Sequence, residues 1–397
     1  MTALRSHSES TWPLLASGLS LIAVCYGFAR FAYGLFVPAF RDAFELSDTV
    51  LGAIGAGSYV GYCAAIVIAA VAVPRYGSRR VAVAAGVVAT VGMLSVAATQ
   101  SGAMLAAGVL VAGASTGVAS PPLADAISRV VHPAGQDRAQ AIVNAGTGAG
   151  VAASGPIAVL ATGNWRLAWA AFAAVAAAVT WWVARTTPPP APRTTPCGAD
   201  PQGWAADLAG IASDRRSWRL AAGAALFGAT SSGVWTFGRD HLVGAAGLTE
   251  VDSTMLWIAL GAAGLIGVAG GDASRRWGIR RVWVGSIALL AASSAALGVF
   301  GFSLPVAAAA LTVFGGVYIV LTAVVLLWAV HLFPDRTAAA VAFGFLLLAL
   351  AQALSAPAVG RLVDHAGTST ALVACAAVGV LAAVSRLTPR HGTRHPS

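Results

Sequence analysis

An all-α integral membrane protein with twelve membrane-spanning helices, arranged as two pseudo-symmetric bundles of six, is the fold this sequence predicts. Three observations carry the expectation: a composition too apolar for water, a series of uncharged runs of membrane-spanning length, and short motifs that recur at one offset. The chain of 397 residues is 58% hydrophobic and 10% charged, with a mean hydropathy of +0.78, against about 45–50% apolar and about 25% charged in an ordinary soluble domain. So few charges cannot cover such an apolar excess, which excludes a soluble enzyme and a nucleic-acid-binding protein. Cys25, Cys63, Cys197 and Cys375 are far apart and match no CxxC spacing, so no disulfide framework, structural metal or cofactor is expected.

A hydrocarbon core about 30 Å thick takes roughly 20 apolar residues as helix. Uncharged runs of that order occur at 14–38, 50–73, 81–98, 104–126, 140–161, 165–184, 220–243, 254–271, 282–301, 305–331, 338–359 and 370–386. The first run is too long for a signal-peptide apolar region and reads as a span. All 24 Lys/Arg positions are arginine. With both termini cytoplasmic, 19 of those 24 fall in cytoplasmic segments, leaving Arg30, Arg41, Arg166, Arg239 and Arg361. That bias predicts a multi-pass protein of the cytoplasmic (inner) membrane, and it explains the +9 net charge without a nucleic-acid partner.

The stretch TTPPPAPRTTP, within 185–219, suits polyproline II and not a membrane helix, whose backbone must be satisfied internally. It is expected to be a cytoplasmic linker between an N-terminal bundle, 1–184, and a C-terminal bundle, 220–397. A repeat supports the division. PRYGSRRV at 74–81 aligns with RRWGIRRV at 275–282, five of eight positions identical. Val131-His132 returns as Val330-His331, Asp137-Arg138 as Asp335-Arg336, and Ser154-Gly155-Pro156 as Ser355-Ala356-Pro357, all at offsets of 198–201.

These features resemble the major facilitator superfamily. Its loop motif GxxxDRxGxRR is matched by Arg75, Gly77, Arg79 and Arg80, and again by Arg276, Gly278, Arg280 and Arg281. Its glycine-rich fifth helix is matched by NAGTGAGVAASGP, which includes Gly146, Gly148, Gly150, Gly155 and Pro156. With RFAYGLFVPAFRDAF and NWRLAW, the chain is most similar to the bacterial YbfB/YjiJ subgroup. The resemblance implies two six-helix bundles around one central site, opened alternately to either side, with the loop-motif residues, Gly155 and Pro156 serving gating. The chain departs from the motif where the family carries aspartate: Pro74 and Arg275 stand there, and Asp272 lies three residues early. The fourth helix also lacks the arginine of many proton-coupled members.

Ionisable residues inside a membrane are costly and face a cavity or a partner. Tyr26, Arg30 and Tyr33, spaced i, i+4, i+7, are expected on one face, where the guanidinium would bind an anion bidentately or clamp a planar ring. Snorkelling to the interface is the alternative for Arg30. Trp235 and Arg239 form a similar stripe, with two alignments open: Arg239 as the pseudo-symmetric partner of Arg30, or at the outer mouth beside Asp240. Asn144 and Gln352 are candidate lining residues with packing as the alternative. Asp125, Asp240 and His241 are the candidates for proton movement.

The expected function is secondary transport of a small anionic or neutral polar solute by a monomer in lipid, with proton coupling left open. Efflux of amphipathic compounds and a non-transporting receptor are the alternatives. A chain without lysine has no P-loop, and no GxSxG or HExxH supports an enzyme.

Overall fold

The computed structural model describes residues 2–161, 163–189 and 201–385, and these contain helices and no strand. Expectations attached to Arg193, Cys197, Arg386, Arg390, Arg394 and the middle of the proline-rich stretch fall outside the described residues.

The first element runs unbroken through α1 (Thr2–Ile22), a π-helical segment (Ala23–Phe31) and α2 (Ala32–Phe44). In the π segment the chain bonds i→i+5, as in the Ala32 N–H donating to the Gly27 carbonyl. α3 (Asp48–Tyr76) starts at Ser47, whose hydroxyl accepts from the Val50 N–H. Gly77, at φ 80°, ends α3 and begins α4 (Ser78–Ala97). α5 (Gly102–Val130) is followed by α6 (Pro133–Asn144) and α7 (Gly146–Leu160), and Asn164 caps α8 (Trp165–Thr186). Next come α9 (Pro201–Ser213), α10 (Trp218–Val243) and α11 (Glu250–Ile266), which is bent by 51° from α12 (Gly270–Trp277). Gly278, at φ 84°, then joins α12 to α13 (Ile279–Phe300). The two loop-motif glycines adopt the same left-handed turn, a conformation that costs other residues strain, so the sequence repeat is also a backbone repeat. α14 (Leu304–Leu332) and α15 (Thr337–Val384) complete the fold.

The expected count of twelve spans is not reproduced by length and apolarity. Among the described residues nine helices qualify, or ten if the bent α11–α12 pair is one span. Two physical features account for the difference. α10 has a hydroxyl- and glycine-rich middle, GATSSG, that lowers its apolarity, and falls outside the set, and Pro334–Val384 counts as one element although Gly367, at φ 81°, breaks it between the two runs read at 338–359 and 370–386. The linker also differs from a purely extended segment. Its last part, α9, is a helix with Ile211 fully buried, and it packs against α15 and α3.

N-terminal and C-terminal helices meet along α2–α10, α3–α15 and α7–α11. Glycine makes the last contact close. A Cβ at Gly150 would stand 2.2 Å from the Ala23 carbonyl oxygen, and one at Gly148 would stand 2.7 Å from that of Gly261. α7 is thus wedged between the π segment and α11. We predict that Gly150→Ala lowers stability by about 1–3 kcal/mol through overpacking. Gly285→Ala, in open space on α13, should instead be neutral or stabilise by up to about 1 kcal/mol. Thermal unfolding of the two variants in one detergent checks both.

Candidate functional site

A cavity of about 850 Å³ lies between the N-terminal and C-terminal helices. Tyr26, Arg30 and Tyr62 stand at its deep end, and it extends past Ser120 and Asn144 to Asp125 and Arg129, near the end of α5. That end of the molecule also carries the loop-motif arginines, so the cavity runs toward the arginine-rich end. α14 and α15 supply the facing wall through Tyr318, Phe345 and Leu348, and α9 contributes Trp204.

Arg30 is 6% exposed. Its guanidinium donates to Gln352 Oε1 at 3.2 Å, and Gln352 Nε2 donates to Ser231 Oγ at 3.2 Å. Around it stand the rings of Tyr59 at 4.6 Å, Tyr62 at 5.0 Å, Phe31 at 5.3 Å and Tyr26 at 5.9 Å. Aromatic faces are negative, so this ring cage partly replaces lost hydration. Among the described residues no carboxylate pairs with Arg30, and its Nε has no hydrogen-bond partner. Burial in a cage also excludes the snorkelling alternative. Tyr59 and Tyr62 were missed by sequence reasoning, although intramembrane tyrosines three apart in SYVGYC were a usable signal.

Other predicted residues are distributed differently. Asn144 and Asp125 line the cavity, Asn144 accepting from Gln140 and Asp125 paired to Arg129 at 3.0 Å. Gln352 is fully buried behind Arg30 and does not line the cavity. Tyr33 does not share the Arg30 face, because the π segment turns the chain less per residue than the assumed α-helix. Its hydroxyl donates instead to the Leu51 carbonyl at 2.7 Å. Trp235 stacks behind Phe31 with ring centroids 4.0 Å apart and does not reach the cavity. Arg239 likewise stands outside it, donating to the Leu35 carbonyl at 2.7 Å and paired with Glu250 at 2.5 Å. The symmetric arginine pair is therefore not assembled. Nor does Arg239 pair with Asp240, since neighbouring helical residues point to different partners. His241 is held among C-terminal helices, 2.9 Å from both Thr368 Oγ1 and the Leu297 carbonyl oxygen.

The opposite end is closed by charge. Arg41 bridges Asp48 and Asp240, with a 2.9 Å bond from its Nη2 to Asp240 Oδ2. Asp364 accepts from the N–H groups of Asp48 and Thr49 at 2.8 and 2.9 Å. These contacts tie α2 and α3 to α10 and α15. At the arginine-rich end Arg75, Arg80, Arg276, Arg280 and Arg281 are exposed and Arg79 is half-buried. Asp272 pairs locally with Arg275, so among the described residues no acid joins those motif arginines. On α7, Gly155 is buried against Ile258 of α11 and Pro156 is exposed.

Asp240→Asn leaves the half-buried Arg41 with a weaker partner, at a cost of about 2 kcal/mol to the closed end. Amide hydrogen exchange over 41–52 should rise by about tenfold or more, while exchange over 120–130 stays unchanged. Equal change at both ends would indicate general destabilisation instead.

Comparison with known proteins agrees with this architecture. The structure superposes on a variant of the nucleoside transporter NupG with TM-score 0.77 at 12% identity, covering 93% of this chain and 98% of that one. A bacterial homologue of the human lysosomal transporter Spinster, inward-facing and occupied, gives 0.77 at 15% identity over 93% and 94% of the two chains. Its inward-facing, unoccupied form gives 0.76 at 16% identity over 94% and 95%. No curated protein matches the sequence. The YbfB/YjiJ resemblance thus rests on the quoted stretches alone. Residues 19–355 match the family as a whole, and with this helical architecture the chain belongs to the Major Facilitator Superfamily.

Proposed function

We propose that this protein is a secondary active transporter that moves a small anionic or neutral polar solute across the cytoplasmic membrane by alternating access. That it is a membrane transporter of small solutes follows from its family. The single observation behind the finer reading is Arg30: a buried guanidinium without a carboxylate partner at the deep end of a cavity open to one side. A group of that kind is stabilised most by a solute that supplies acceptors and negative charge.

In this reading Tyr26, Arg30, Asn144 and Tyr62 contact the solute, and Gln352 orients Arg30. The units are 1–184 and 220–397, joined by 185–219. The arginine-rich end is cytoplasmic by charge bias, so the conformation is open to the cytoplasm and sealed outside by Arg41, Asp48 and Asp240. Asp125, in the cavity beside Arg129, is the candidate for proton coupling, and the chain works as a monomer. A second reading, efflux of amphipathic compounds, is favoured by the largely apolar cavity wall.

Thermal stabilisation of the purified protein by organic anions, neutral metabolites and lipophilic cations distinguishes the readings. A ligand that binds only the folded state raises Tm as its concentration passes Kd. We expect stabilisation by anions or polar neutrals that disappears in Arg30→Gln. Stabilisation by cations, unchanged in that variant, would overturn the Arg30 site and leave efflux.

A further inference from the structure

We infer that the cavity selects a monoanionic organic acid with a bulky apolar body, and that it discriminates against dianions such as phosphate esters. This deepens the proposal above and rests on it, since the Arg30 cavity must be the transport site.

The argument is a count of charge. Of the described side chains that line the cavity, only Arg30, Asp125 and Arg129 carry a carboxyl or guanidinium group. Asp125 and Arg129 neutralise each other at 3.0 Å, one turn apart on α5. Arg30 therefore leaves one positive charge uncompensated. The other arginine buried among the described residues, Arg239, is engaged by Glu250 and the Leu35 carbonyl outside the cavity. A dianion would bring a second negative charge into a chamber where, among the described residues, no second free cation stands, and an unpaired charge there is expensive.

Hydrogen-bonding capacity leads to the same conclusion. Arg30 donates to Gln352 through Nη2 alone, and Nε is buried and without an acceptor. A carboxylate presents two oxygens in the fork that suits a guanidinium. A neutral amide supplies one acceptor and no charge. The rest of the solute meets a different surface. Ile22, Ile66, Ile319, Leu326, Phe345 and Leu348 line the walls, and a cavity of about 850 Å³ exceeds what a two- or three-carbon acid fills. Desolvating an apolar body there is favourable.

The test uses the purified full-length protein and a series matched in body and varied in charge: biphenylcarboxylate, biphenylcarboxamide, biphenyldicarboxylate, biphenylyl phosphate and biphenyltrimethylammonium. Equilibrium dialysis gives Kd for each, with Arg30→Gln run in parallel. The expected result is that the monocarboxylate binds wild type about tenfold or more tightly than every other member, the scale of one charge-assisted hydrogen bond. Arg30→Gln should remove that preference. Because the ranking is read within wild type, it stands even if the variant fails to fold. If the dicarboxylate or phosphate binds as tightly as the monocarboxylate, or the amide does, the inference is overturned while the Arg30 site survives. Binding led by the cation, or no saturable binding by any member, overturns the site itself and the inference with it.

Discussion

A guanidinium buried without an acid is the constraint on which the interior of this molecule depends. In a low-dielectric environment such a charge is tolerable only where dipoles and polarisable faces surround it. Here the surroundings come from several elements: the π segment supplies Arg30 and Phe31, α3 supplies Tyr59 and Tyr62, and α15 supplies Gln352, itself tied to Ser231 on α10. The same group of contacts thus solvates the charge and joins N-terminal helices to C-terminal ones. A solute that neutralises Arg30 acts at a seam of the structure.

The other charges are arranged differently. At the closed end one cation, Arg41, is shared by Asp48 and Asp240, and Arg239 finds Glu250. Of those pairs only Arg41–Asp240 joins an N-terminal helix, α2, to a C-terminal one, α10, so it is the pair that opposes separation of the halves on that side. At the arginine-rich end most loop-motif arginines are exposed and, among the described residues, lack interhelical acids, so no such ion pair ties the two halves together beside the cavity. The fold itself rests on close backbone approach, as where α7 packs into the π segment and α11 through Gly148 and Gly150.

Much of this architecture was legible in the sequence. Composition excluded water, the uncharged runs located most helices, and the loop-motif repeat foretold the matching turns at Gly77 and Gly278. Arg30 was legible because a cation placed inside the membrane has to face a cavity or a partner. Tyr33 left the expected face because the assumption of uniform α-helical phase fails where the turn before it is π-helical. The boundary read between 338–359 and 370–386 agrees with the break at Gly367, φ 81°. Arg239 was ambiguous for another reason. Its partner, Glu250, lies on the next helix, and periodicity within α10 says nothing about a contact between helices. Trp204 was hidden because a proline-rich neighbourhood masked a short helix.

The π-helical segment also decides how the first element accommodates its own length. A π turn takes in one residue more than an α turn, so it absorbs locally an extra residue that in a strict α-helix would rotate one flank against the other by about 100°. Two separate fits depend on that angular offset. On one side Gly27 meets the backbone of Gly150, and on the other Arg41 reaches Asp240. The wide turn thus holds the Arg30 cavity and the ion-paired end beyond it in phase, a relation that forcing the segment into α geometry at unchanged length would break.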